Sequence, residues 1–120
     1  MNVELGQVVA ERRLRVSGRP DLEVWVRLGM PCPFPDDPND NYYCPYQITG
    51  VGDAKVRYAG GVDSLQALEL ALHILPAALD RLRKQNPGLA WEDGPEGEYG
   101  FSKATISAFR EDDAPGEPPD

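Results

Sequence analysis

The sequence predicts an α+β fold: an antiparallel sheet of four or five strands with one long or kinked helix packed on one face. Three observations carry that reading. Apolar and polar side chains alternate through short segments of the first half. Leucines then recur at helical spacing over a longer run. Turns rich in glycine and proline separate these segments.

Val8 to Val16 reads as a first strand, with Val8, Ala10, Leu14 and Val16 on a face interrupted by Arg12. Ser17-Gly18-Arg19-Pro20-Asp21 is a turn, and Leu22 to Leu28 alternates Leu22, Val24, Val26 and Leu28 against Glu23, Trp25 and Arg27. The two segments form a hairpin. Pro31, Pro33, Pro35 and Pro38 make residues 29–41 a loop, because proline fixes φ and donates no backbone hydrogen bond. Tyr42 to Thr49 resumes extended structure, with Pro45 demanding an edge or a bulge. A fourth strand, Ala54 to Ala59, sets Val56 and Tyr58 opposite Lys55 and Arg57.

After Gly60-Gly61 a helix starts at an Asp63 N-cap, with Gln66 completing a capping box. Leu65, Leu68, Leu72, Leu75, Leu79 and Leu82 form a single ridge on a helix that runs to about Gln85. Pro76 predicts a kink or a break, and Asn86-Pro87-Gly88 ends the helix. Leu70 and Ile74 fall on nearly the opposite side of the ridge. Either the segment bearing Trp91, Phe101, Ile106 and Phe109 or a second subunit covers them, and the latter makes a homodimer seam. Lys103 to Phe109 reads as a short last strand.

Length and charge narrow the function classes. At 120 residues there is room for one domain, placed at 1–109. Residues 110–120 read as a disordered acidic tail, where one arginine faces five carboxylates and little is apolar. A formal net charge of −8 disfavours nucleic acid as a partner. No apolar run is long enough to span a bilayer, and Met1-Asn2-Val3-Glu4 lacks the character of a secretory signal, so a cytoplasmic protein is expected.

The run from Ala10 to Val16, the segment from Val26 to Gly29 with Pro31, Pro33 and Phe34, and the segments Tyr42 to Ile48 and Gly52 to Ser64 resemble a family of small bacterial proteins. That family is catalogued only as a domain of unknown function. The resemblance spans roughly residues 5–80, a domain-sized stretch. It implies a bacterial, cytosolic origin and brings no established activity, cofactor or catalytic residue.

Several chemistries lack their residues. Cys32 and Cys44 read as free thiols, and with His73 they do not make the paired short-spaced set of a zinc site. Asp37, Asn39 and Asn41 match the opening of a calcium loop, but Tyr42 stands at the glycine position and Ile48 at the glutamate position. No nucleophile elbow, Walker pattern or dinucleotide fingerprint occurs. No catalytic residue, metal or cofactor is assigned.

Two surfaces remain. Lys55, Arg57, Tyr58, Gly60 and Gly61 precede a helix N-terminus and suit an anion or small ligand, although Asp63 already caps those amides and a plain strand-to-helix turn explains the glycines. Arg13, Arg15, Trp25, Arg27 and Tyr43 share the sheet face turned away from the helix, with Lys55, Arg57, Glu11, Glu23 and Gln47. Cation-flanked aromatics suit single-stranded nucleic acid or an acidic partner surface, while cross-strand ion pairs and cation–π contacts account for the same residues without a ligand. The reading that fits best is a non-enzymatic protein-interaction protein of inhibitor or immunity type, whose partner is basic. A small-ligand or anion-binding domain using the Gly-Gly turn is the alternative. An enzyme with a cysteine or carboxylate centre between loop 30–45 and the helix ranks behind both.

Overall fold

The computed structural model describes residues 2–92 and 94–101. The acidic tail and the strand expected over 103–109 lie outside them. The elements are β1 (Val8–Val16), β2 (Val24–Gly29), β3 (Cys32–Pro33), β4 (Tyr42–Thr49), β5 (Arg57–Gly61), α1 (Ser64–Gln85) and β6 (Leu89–Ala90). All strand pairs are antiparallel. The sheet runs β3-β4-β2-β1-β6, with β5 also paired to β4. Six strands form where four or five are predicted, because β3 and β6 have two residues each and are too short to show alternation.

Register explains which side chains meet. Leu14 pairs with Val24 and Arg12 with Val26 across β1–β2, and Val26 pairs with Ile48 across β2–β4. Leu14, Val24, Val26, Leu28, Cys44, Tyr46 and Ile48 therefore turn to the helix and form the core floor. Asp63 caps α1 by accepting from Gln66 N at 2.8 Å. The Gln66 amide oxygen answers by accepting from Val62 N at 2.8 Å, one residue before the cap. The helix runs unbroken through Pro76, which is buried.

The helix rests on only part of its leucine ridge: Leu75 and Leu79 are buried, Leu68 and Leu82 are half-buried against the core, and Leu65 and Leu72 turn outward. Its buried row is Ala67, Ala71, Leu75 and Leu79, at successive fourth positions, whereas Leu65 is 69% and Leu72 37% exposed. The cause is Gly61, where a Cβ would lie 2.5 Å from Ala67 N. Backbone approaches backbone there, so the N-terminal half of α1 sits down on Ala67 and Ala71, and Leu65 and Leu72 turn toward the margin. Leu70 and Ile74, expected opposite the core, are half-buried and pack against it.

β5 corrects a second expectation. It begins at Arg57, because Gly52, Asp53 and Ala54 form a turn in which the Asp53 carboxylate accepts from Lys55 N at 2.9 Å. Tyr46 then pairs with Arg57 and Pro45 with Tyr58. Arg57 therefore faces the helix side, and Tyr58 the outer side, the reverse of the face assignment drawn from the sequence.

Candidate functional site

The outer face carries two different surfaces. Near β1 and β2 the cations are engaged. Arg27 Nε donates to Glu11 at 3.0 Å, and its guanidinium lies 5.0 Å from the Trp25 ring centroid. Arg13 and Glu23 approach to 4.0 Å, and Trp25 Nε1 donates to Glu23 at 3.4 Å. Arg15 donates to the carbonyls of Glu92 and Gly94. This is a lattice of cross-strand pairs, each individually modest because it is exposed.

Tyr43 lies apart from that lattice, in an aromatic cluster at the other end of the sheet. Phe34 and Tyr43 have ring centroids 5.1 Å apart, Phe34 and Tyr58 5.7 Å, and Tyr43 and Tyr58 5.8 Å. The two contacts to Tyr58 are edge-on, the geometry the ring quadrupole favours. Phe34 N donates to Asn41 O at 2.8 Å, closing the proline loop at its neck. Asp37 accepts from Asn39 N at 2.8 Å, so the residues that resemble a calcium loop make a local turn. Among the described residues no group of three histidine, cysteine or carboxylate side chains is placed to hold a metal ion.

The N-terminal arm runs beside this cluster, with Met30 N donating to Gln7 O at 2.8 Å. Burial, then the neighbouring Cys32, raises the Tyr43 hydroxyl above its ordinary pKa, and Glu4 adds to the effect. Tyr58 and Met30 each remain 43% exposed. Between Arg27 and Lys55 the chain has no lysine or arginine, and the loop offers Asp36, Asp37 and Asp40. Phe34 and Tyr43 thus stand in an acidic stretch, while Tyr58 follows Arg57, whose guanidinium is paired with Asp53.

On the helix side, a cleft of about 660 Å³ opens between β4–β5 and the C-terminal half of α1. Ile48, Val51 and Leu82 contribute its apolar surface, with Lys55, Arg57 and Arg81 among its polar lining. Gly52 packs against Leu82, where a Cβ would lie 2.8 Å from Leu82 Cδ2, so the turn before β5 is docked onto the helix. Arg57 grips Asp53 with two bonds of 2.8 and 3.0 Å, which hold that carboxyl well below its usual range. Tyr46 also lines the cleft; burial raises its hydroxyl pKa, against the opposing pull of Arg57 and Arg81.

Lys55 and Arg57 are therefore brought together, while Gly60 and Gly61 lie at the other end of β5. Gly60 sits under Phe34, 3.6 Å from Phe34 to a Cβ at that position, and Gly61 is pressed against the helix backbone. The five residues proposed as one anion site do not converge on one point. Tyr46 and Arg81, which do join Lys55 and Arg57, carry no local signal: Tyr46 reads as core, and Arg81 as one of the basic residues near a helix C-terminus.

The Cys44 thiol is not an activated nucleophile. Cys44 is fully buried, donates to Gly29 O at 3.5 Å, and is pushed up to about 11, first by burial and then by Cys32. A last feature is a clasp. Arg12 lies 4.5 Å from the Trp91 ring centroid and 5.5 Å from that of Phe101, and donates to Tyr99 O and Gly100 O.

The fold defines a small α+β domain, a six-stranded antiparallel sheet with one helix packed against it. Residues 10–103 match the family model described as "Domain of unknown function (DUF6968)", and the chain belongs to that family. No curated protein and no solved structure matches the chain. Among the described residues, no helix is long and apolar enough to cross a membrane.

Proposed function

We propose that this chain is a non-enzymatic protein-interaction domain of inhibitor or immunity type, acting in the cytoplasm, that receives a basic protein partner on the Phe34–Tyr43–Tyr58 platform. The observation that carries this reading is the platform's setting: three rings in mutual contact, two of them, Phe34 and Tyr43, in a stretch of prolines and carboxylates without a basic residue, and the third, Tyr58, next to an Arg57 whose charge is engaged by Asp53. Aromatic side chains supply large contact area at low entropic cost and are enriched at interface centres. The surrounding carboxylates favour a cationic partner and speed its encounter.

The arginines of β1 and β2 support the reading in a complementary way. Their charge is spent on Glu11, Glu23 and backbone carbonyls, which leaves little to attract a phosphate backbone.

The test is a titration with fluorescent octa-arginine and octa-glutamate peptides at low and moderate salt, with amide resonances recorded alongside. Octa-arginine is expected to bind and to shift resonances of residues 30–43 and Tyr58. Tyr58→Ala is expected to weaken binding on the order of tenfold, or about 1.4 kcal/mol. Equal binding of octa-glutamate, or an unchanged affinity in Tyr58→Ala, would remove the platform from consideration.

A further inference from the structure

We propose that the cleft between β4–β5 and the C-terminal half of α1 binds a small organic anion, with an apolar body and a carboxylate or phosphate head. The site lies on the helix side of the sheet, independent of the aromatic platform.

Charge is the first argument. Lys55, Arg57 and Arg81 line one concavity in a chain whose formal net charge is −8. Asp53 is the only carboxylate in that lining, and it is already committed to Arg57 and to Lys55 N. Among the described residues, the Lys55 ammonium and the Arg81 guanidinium have no hydrogen-bond or ion-pair partner. Arg12, Arg13, Arg15, Arg27, Arg57 and Arg83 are engaged by protein groups, and Arg19 and Lys84, which likewise make no such bond among the described residues, lie outside the cleft lining. Two unspent cations at the rim of one cleft form a focused positive field in a molecule otherwise negative.

Size and composition are the second argument. At about 660 Å³ the cleft falls within the range of small-molecule sites, roughly 300–1,000 Å³, and far exceeds what a bare phosphate ion fills. Ile48, Val51 and Leu82 offer apolar contact for a body, while Tyr46 adds a phenol. At the helix C-terminus nearby, Asn86 occupies two carbonyls, with Asn86 N donating to Leu82 O and Arg83 O and Asn86 Nδ2 to Leu82 O, which lessens the repulsion of an anionic head.

Rigidity is the third. The turn that carries Lys55 is held by the Asp53 bonds, by Gln47 Nε2 donating to Ala54 O at 2.8 Å, and by Gly52 against Leu82. A wall built before the ligand arrives loses less freedom on binding.

The experiment uses the full chain and four probes followed by amide resonances: phenyl phosphate, benzoate, inorganic phosphate and benzyl alcohol. Phenyl phosphate, benzoate or both are expected to bind at least tenfold more tightly than inorganic phosphate and benzyl alcohol, shifting Tyr46, Val51 and Arg81. The stronger of the two identifies the head group. Arg81→Ala and Lys55→Ala, both at exposed positions, are each expected to weaken that binding at least fivefold, and Arg19→Ala in the β1–β2 turn to leave it unchanged. Benzyl alcohol binding as well as the anions, shifts centred elsewhere, or indifference to Arg81→Ala and Lys55→Ala in folded protein would overturn the assignment.

Discussion

The guanidinium of Arg12 lies 4.5 Å from the centroid of the Trp91 ring and donates to Gly100 O at 2.9 Å. A charged residue on the helix-facing side of β1 thus ties the segment after β6 back onto the sheet. It stands where the sequence shows only an interruption in an apolar face.

Arg12→Ala removes the stacking on Trp91 and Phe101 and two charge-assisted bonds to Tyr99 O and Gly100 O. A loss of about 2 kcal/mol is expected in urea denaturation followed by circular dichroism. Arg12→Lys restores the charge but not the planar fork, so less than half of that stability returns. Full recovery by lysine would show that charge alone holds the clasp.

Gly61 and Gly60 are adjacent and should respond very differently to alanine. At Gly61 the new Cβ meets Ala67 N at 2.5 Å, and the β5–α1 contact must open, at a cost of about 1–3 kcal/mol. At Gly60 it meets Phe34 at 3.6 Å, an ordinary contact, and stability stays within about 0.5 kcal/mol. Thermal melts of the two variants decide it, and equal melting temperatures would refute the close approach.

The Asp80–Tyr99 pair predicts losses at both ends of the pH scale. Asp80 accepts from Arg83 Nε at 3.0 Å and from Tyr99 Oη at 3.2 Å, and these bonds, that to Arg83 foremost, lower its pKa against the effect of burial. The folded chain keeps this carboxylate charged further into acid than the unfolded chain does. Its contribution is therefore present above about pH 4 and lost as pH falls through the depressed value. Tyr99 is pushed up to about 12, by burial first and by the Asp80 charge second. Its contribution is intact below the ordinary value of 10.0 and disappears as pH rises toward 12. Asp80→Asn should flatten the acid limb of a stability profile. Tyr99→Phe should flatten the alkaline limb and cost about 1 kcal/mol at neutral pH. Unchanged limbs in both variants would dismiss the pair as a titrating element.

The two cysteines should separate in reactivity. Cys32 is half-exposed on β3, whereas Cys44 is buried with its thiol raised to about 11. An aromatic disulfide reagent at pH 8 is expected to consume one equivalent quickly, mapped to Cys32, and the second only when urea unfolds the chain. Two fast equivalents in native protein would contradict the burial of Cys44.

Local pattern was enough for β1 and β4, whose bounds, Val8–Val16 and Tyr42–Thr49, agree with those predicted from alternation and turn residues. The Asp63 cap and the helix end near Gln85 were equally legible, because capping and termination depend on neighbours within one turn. Alternation says which residues share a face of a strand. It does not say which face turns inward, and β5 came out reversed: the loop at Asp53, set in part by Gly52 against Leu82, fixes Arg57 opposite Tyr46.

The sequence alone therefore determined the α+β class, the extents of the longer elements and the residues available to the core, all properties of short-range periodicity. Tertiary packing decided the rotation of α1, the side of the sheet that Arg57 occupies, and the meeting of Lys55 with Arg81 in one cleft. The physical reason is the glycine contact between β5 and α1. Backbone contact at Gly61 draws Ala67 and Ala71 inward and leaves Leu65 exposed, an outcome that hydrophobicity along the helix could not rank because it favours the leucines.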